Sequence, residues 1–228
     1  MRDKYIIGVL GGMGTYATVH MFKQYAETFP AEKEWDRPRI IIDNRCTMPS
    51  RVRAYLYGEE KEKLVEEMAD SLRWLLEIGC SRIILACNTS HLFLPDIYKK
   101  VDGLENKISN IIECCIDKIV EDKIDEVFLL GSEGTIDSQI YQNALKKANV
   151  KCLTPHKMEY AIIRECIECV KQNRYDREVE MSFIELINRH DACILGCTEL
   201  PILYEKLKKI IIHAYQPSCA GKPFICKG

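Results

Sequence analysis

Short apolar runs bounded by polar or glycine-rich turns alternate along this chain with longer stretches of helical periodicity. Tyr5 to Leu10, Arg39 to Asp43, Ile83 to Ala86, Val127 to Leu130, Val150 to Leu153, Ala192 to Gly196 and Ile210 to Ala214 predict strands. Between them, helices are predicted over Tyr16 to Phe29, Glu59 to Ile78, Lys107 to Ile124, Glu159 to Lys171 and Glu178 to Asn188, with a short helix and a turn over Pro95 to Gly103. In the second of these, Leu64, Met68, Leu72, Leu75 and Leu76 form one stripe, and Gly79 ends it. A crossover separates each strand from the next. The prediction is an α/β fold with mostly parallel sheets flanked by helices.

Two signals repeat. Gly11-Gly12-Met13-Gly14-Thr15 follows the first strand, and Gly131-Ser132-Glu133-Gly134-Thr135 follows a later one, 120 residues on (131 − 11). Cys87 and Cys197 each close an apolar run, 110 residues apart (197 − 87). The pattern predicts an internal duplication with two pseudo-symmetric lobes and the active site in the cleft between them. The expected lobes are residues 1–104 plus 209–228, and residues 105–208. Each has a glycine turn and a cysteine at the carboxyl ends of its strands, where α/β sheets bind ligands.

Charge adds exclusions. In 228 residues, 32 basic and 34 acidic side chains nearly cancel and no basic run stands out, so no nucleic-acid partner is expected. No apolar stretch approaches the roughly 18 residues of a membrane span. Met1 to Lys4 lead into a strand rather than a signal segment, so a cytoplasmic location is expected. The twelve cysteines then read as reduced thiols rather than a disulfide framework. Cys166 and Cys169 form a C-x-x-C inside a helical pattern with no second pair, which argues against zinc. Cys114 and Cys115, also in a helical pattern, read as small packing residues.

The candidate chemistry lies at the predicted sheet edges. The turn containing Gly12 and Met13 lacks the dinucleotide spacing and a Walker lysine, and its backbone N–H groups suit a carboxylate. Arg45 and Arg51, in the polar loop after Asp43, offer planar forks for a carboxylate. Cys87-Asn88-Thr89-Ser90 and Cys197-Thr198-Glu199 each read as a strand end passing into a helix cap. Two matched thiols with carboxylate-binding groups nearby suit one reaction. A thiolate removes a proton from carbon and the other thiol returns one on the opposite face, which inverts a stereocentre. No pyridoxal phosphate, metal or nucleotide is expected.

Gly11-Gly12-Met13-Gly14, Ala86-Cys87-Asn88-Thr89 with His91, and Leu195-Gly196-Cys197-Thr198-Glu199-Leu200 resemble the aspartate/glutamate racemase family, which is independent of pyridoxal phosphate. The resemblance implies that Cys87 and Cys197 are the acid/base pair, Cys87 serving the D-enantiomer and Cys197 the L-enantiomer. It also implies that Arg51 holds a substrate carboxylate, and that Asn88, Thr89, Thr135 and Thr198 bind the α-carboxylate and amino group. Lys171 matches a lysine that aspartate racemases place over the side-chain carboxylate. The chain departs from the family pattern at Thr15, where proline is usual, and at Ser50, where aspartate is usual. It also departs at His213-Ala214-Tyr215-Gln216-Pro217, which lacks the usual acidic residue. The expected partners are an acidic amino-acid substrate and a second copy of the chain, with no membrane. A related isomerase or decarboxylase acting on a dicarboxylate, or a non-catalytic dicarboxylate-binding protein, are the alternatives.

Overall fold

In the first unit of the chain, β1 (Ile6–Gly11) is buried at every position because it is the central strand of a parallel sheet. The computed structural model describes residues 5–208, which divide into two compact units, one up to Ile111 and one from Ile112. The predicted strand Ile210 to Ala214, and the expected return of residues 209–228 to the first lobe, lie outside the described residues.

After β1 comes α1 (Thr15–Thr28), then β2 (Arg39–Asn44), α2 (Arg51–Tyr57), α3 (Lys61–Glu77) and β3 (Arg82–Leu85). The strand order is β2-β1-β3, with β2 an edge whose isoleucines are only half-buried. Helix α2 begins at Arg51, where the predicted polar loop ends, and covers residues for which no element is predicted. Ser50 caps it by accepting from the Arg53 N–H at 3.4 Å, and Gly58 ends it in the left-handed region. The α3 stripe behaves as predicted: Leu64, Met68, Leu72 and Leu75 enter the core, and Leu76 packs against it. Its stop is a Schellman motif, in which the Gly79 N–H reaches Leu76 O and the Cys80 N–H reaches Leu75 O.

Beyond β3, a 3₁₀ turn over Thr89–Phe93 leads into α4 (Leu94–Tyr98), and α5 (Ile111–Glu121) follows. The helix predicted from Lys107 starts four residues late. Ile108 bridges Ile83 instead, and the Ser109 N–H donates to Ile83 O at 2.8 Å, so these residues extend the sheet.

The second unit repeats the plan. β4 (Glu126–Leu130) is followed by α6 (Glu133–Asp137), α7 (Ile140–Lys147), β5 (Lys151–Leu153), α8 (Lys157–Gln172), α9 (Arg177–Asn188), β6 (Cys193–Leu195) and α10 (Leu200–Leu207). The order is β5-β4-β6, again parallel with the first strand central. Side chains of α8, α9 and α10, among them Ile163, Val170, Phe183, Ile187, Leu203 and Leu207, build its core. No element is predicted over the short α6 or over α7, although in α7 Tyr141 and Leu145, four residues apart, form a buried face.

The register positions the chemistry. In the first unit the Ala86 N–H donates to Leu10 O at 2.9 Å, and in the second the Gly196 N–H donates to Leu130 O at 2.6 Å. Each bond brings the residue before a cysteine against the residue before a turn glycine. Cys87 therefore lies at the same edge as Gly11-Gly12, and Cys197 at the same edge as Gly131. Among the described residues no helix is long and apolar enough to cross a membrane.

Candidate active site

The glycine turn of the first unit is fixed by close approach. Gly12 has φ +78°, and a Cβ there would lie 2.4 Å from the Arg45 carbonyl carbon, so only glycine fits. Its N–H donates to Thr18 Oγ1 at 3.0 Å. The buried Met13 comes next, and its carbonyl accepts from Arg51 Nη2 at 2.8 Å. Arg51 Nη1 donates to Pro49 O at 3.0 Å, while its Nε is buried with no hydrogen-bond partner among the described residues. Arg45 turns the other way. Its Nη1 donates to Ser71 Oγ at 3.2 Å, and its Nε lies 3.6 Å from Glu67 Oε2, close enough for ion pairing but long for a hydrogen bond. Of the two loop arginines, Arg51 is thus the one whose side chain reaches the Gly12-Met13 turn.

Cys87 is buried at the end of β3, with Asn88 and Thr89 buried beside it. The expected helix cap does not form: Asn88 has helical dihedrals and makes no side-chain capping bond, because a 3₁₀ turn rather than an α-helix follows. Instead the Cys87 carbonyl accepts from the Ser90 hydroxyl at 2.6 Å and contacts His91 Nδ1 at 2.9 Å. A carbonyl needs a donor, so Nδ1 carries the proton. Burial drives the His91 pKa down to about 4, against the upward pull of hydrogen bonds to the Cys87 and Asn88 backbone. The ring is neutral at pH 7, and its buried Nε2 has no partner among the described residues.

In the second unit, Thr135 is fully buried behind Gly131, and its hydroxyl lies 3.0 Å from that of Ser132. The sequence repeat pairs Thr135 with Thr15. In space its counterpart is Thr18, the threonine that packs on Gly11 as Thr135 packs on Gly131. Thr15 instead lies exposed at the start of α1, where its hydroxyl accepts from Asn44 Nδ2 at 3.2 Å.

Cys197 and Thr198 are half-buried, and both meet a residue that the sequence reading quoted without giving it a role. The Cys197 thiol donates to Glu199 Oε2 at 2.9 Å, and the Thr198 hydroxyl reaches the same oxygen at 3.4 Å. Glu199 is only 2% exposed. Lys171, in the last turn of α8, belongs to this group and ion-pairs with Glu168 at 2.9 Å. Burial alone would lower the Lys171 pKa. The Glu168 hydrogen bond and the negative charge of the nearby Glu199 outweigh it, and the net shift is upward.

Several thiols away from these edges are held protonated by burial. Burial pushes Cys152 up to about 11, and Cys166 and Cys193 up to about 12. These hold protons too tightly to act as bases near neutral pH. Among the described residues no group of three His, Cys, Asp or Glu side chains is placed to hold a metal ion. The structure thus gathers Gly12, Met13 and Arg51 with the Cys87 edge, and Lys171, Thr198 and Glu199 with the Cys197 edge. A thiol with carboxylate-binding groups at each edge is equipped for proton transfer at carbon next to a carboxylate.

Known proteins share this plan. A broad specificity amino-acid racemase, RacX of Bacillus subtilis, is 25% identical over 225 residues, covering 95% of each chain. A glutamate racemase of Staphylococcus carnosus is 28% identical over 159 residues, 66% of this chain and 56% of that protein. The solved structure of Picrophilus torridus aspartate racemase superposes with a TM-score of 0.80 at 27% identity, covering 95% of this chain and 91% of that one. The family model described as Asp/Glu/Hydantoin racemase matches residues 10–225. The chain belongs to the Asp/Glu/Hydantoin racemase family, and with it to the isomerases.

Proposed function

We propose that the protein is a cofactor-independent amino-acid racemase that interconverts L- and D-aspartate, glutamate or both, with Cys87 and Cys197 as its two bases. The observation that carries this reading is the repeated edge. Each unit uses the same ladder bond, Ala86 to Leu10 and Gly196 to Leu130, to bring a cysteine beside a turn glycine.

In the proposed reaction one cysteine, as thiolate, takes the Cα proton. An S–H bond forms, and the C–H electron pair moves into the carboxylate to leave a planar carbanion. The other cysteine delivers its proton to the opposite face. Such a carbanion requires fixed donors and exclusion of water. We assign Gly12, Met13, Asn88, Thr89, Thr135 and Thr198 to holding the α-carboxylate and amino group. Arg51, anchored on the Met13 and Pro49 carbonyls, presents its remaining N–H groups to a carboxylate. Lys171 is assigned, together with Arg51, to the second carboxylate of the substrate. The preference for acidic substrates rests on these two cations and on the similarity to the aspartate racemase, whereas the RacX similarity points to a wider range. We further propose a cytoplasmic homodimer.

The test is a panel of L- and D-amino acids in deuterated water, using protein dialysed against a chelator with no pyridoxal phosphate added. Cα exchange and inversion are expected for aspartate or glutamate. Activity that needs an added metal or cofactor, or that omits both acidic amino acids, contradicts the reading.

A further inference from the structure

We infer that Glu199 sets which thiol carries the proton between turnovers: Cys197 rests as a thiol donating to the Glu199 carboxylate, leaving Cys87 to act first as the base. The inference rests on the two-thiol reading and deepens it.

Glu199 needs an explanation that helix architecture does not supply. It stands at the N-cap position of α10, yet its side chain makes no capping hydrogen bond. Its carboxylate is almost wholly buried. Oε2 receives the Cys197 thiol and the Thr198 hydroxyl, while Oε1 is buried with no hydrogen-bond partner among the described residues. A buried carboxylate is costly unless donors or a cation compensate it. Here the compensating groups are the thiol, the hydroxyl and the potential of Lys171 on α8, a cation shared with Glu168.

That balance holds only while Cys197 keeps its proton. Ionising the thiol removes a hydrogen-bond donor from Glu199 and places a second anion against the first, where little water screens them. Cys87 is placed differently. Among the described residues its sulfur donates to no carboxylate, and the histidine behind its carbonyl is neutral. The two cysteines occupy equivalent ladder positions but do not share equivalent proton sites. The substrate enantiomer whose Cα–H faces Cys87 therefore meets the enzyme ready to react. Its mirror image requires the less populated form, with Cys197 ionised beside Glu199.

Brief labelling with limiting iodoacetamide, read at each cysteine by peptide mass spectrometry, tests this directly. In the wild type Cys87 should label faster than Cys197, although Cys197 is the more exposed of the two. Glu199→Gln should raise the Cys197 rate about tenfold and leave the Cys87 rate within about twofold, since the thiolate is the reactive form. Glu199→Asp, which keeps the charge, should stay nearer the wild type than the glutamine variant. A purely structural role for Glu199 would alter both thiols together. Faster labelling of Cys197 in the wild type overturns the inference, and this order is readable even if the variants fail to fold. Unchanged or slower labelling of Cys197 in a folded Glu199→Gln overturns it as well. The two-thiol reading is judged separately: inversion that survives Cys87→Ala or Cys197→Ala defeats it whatever the labelling shows.

Discussion

The two strand ends that carry Cys87 and Cys197 are alike in backbone and unlike in chemistry. Each cysteine follows the same ladder bond, and each carbonyl accepts a hydrogen bond from residues just ahead. In the first unit the donors are side chains, the Ser90 hydroxyl and the His91 ring. In the second the donor is a backbone N–H, that of Leu200, 3.0 Å from Cys197 O. The second thiol meets a buried carboxylate, while at the first cysteine a neutral imidazole meets the backbone carbonyl. Repetition of a fold reproduces where a group is delivered. The neighbours it meets there are set residue by residue, and they decide how it behaves.

The largest expected effect tests the likeness. Cys87→Ala and Cys197→Ala should each lower inversion by on the order of a thousandfold, the scale of a lost general acid or base. Deuterium exchange should survive in each for only one enantiomer: L in the first variant, D in the second. Exchange of the same enantiomer in both variants would break the symmetry of roles.

The unlikeness is tested by pH. His91 has a native pKa of about 4 against an ordinary value near 6.5, so between those values the unfolded chain binds a proton that the folded chain does not. Stability should therefore fall as pH drops from about 6.5 to 4, by about 3 kcal/mol from this group alone. His91→Gln should flatten that slope in urea unfolding followed across the range. An identical slope in both proteins would remove the histidine from the account.

A smaller effect separates the two glycine turns. Gly12→Ala places a Cβ against the Arg45 backbone at positive φ, and should destabilise by at least about 1–3 kcal/mol. Gly131→Ala meets Thr135 at 3.4 Å, an ordinary contact, and should cost less than about 1 kcal/mol. Equal urea midpoints for the two variants would contradict the difference in packing. In substrate recognition, Arg51→Ala should raise KM for aspartate about tenfold and for alanine much less, because alanine lacks the second carboxylate. Matching increases for both substrates would take Arg51 away from side-chain recognition.

The strands were legible because a parallel strand covered on both faces must be apolar throughout, and Ile6 to Leu10 show this without a partner sequence. Helix α3 was legible from its stripe and from Gly79. Helix α2 was missed because seven residues give no clear period, although the bracket of Ser50 before it and Gly58 after it was there to be read. The family resemblance singled out Arg51, but the residues alone did not separate it from Arg45, whose side chain folding turns toward Ser71 of α3 while Arg51 reaches Met13. Glu199 was passed over for the opposite reason. A charged residue at a helix start reads as a solvated cap, and nothing local announces that the chain buries it beside a thiol.

The central position of β1 has a consequence for synthesis. β1 leaves the ribosome before either of its partners, Arg39–Asn44 and then Arg82–Leu85. At translation rates of about 5–20 residues per second, this apolar strand waits several seconds with both hydrogen-bonding edges open. β4 repeats the exposure while Lys151–Leu153 and Cys193–Leu195 are still to come. Such intervals are the moments at which a ribosome-bound chaperone would have most to shield.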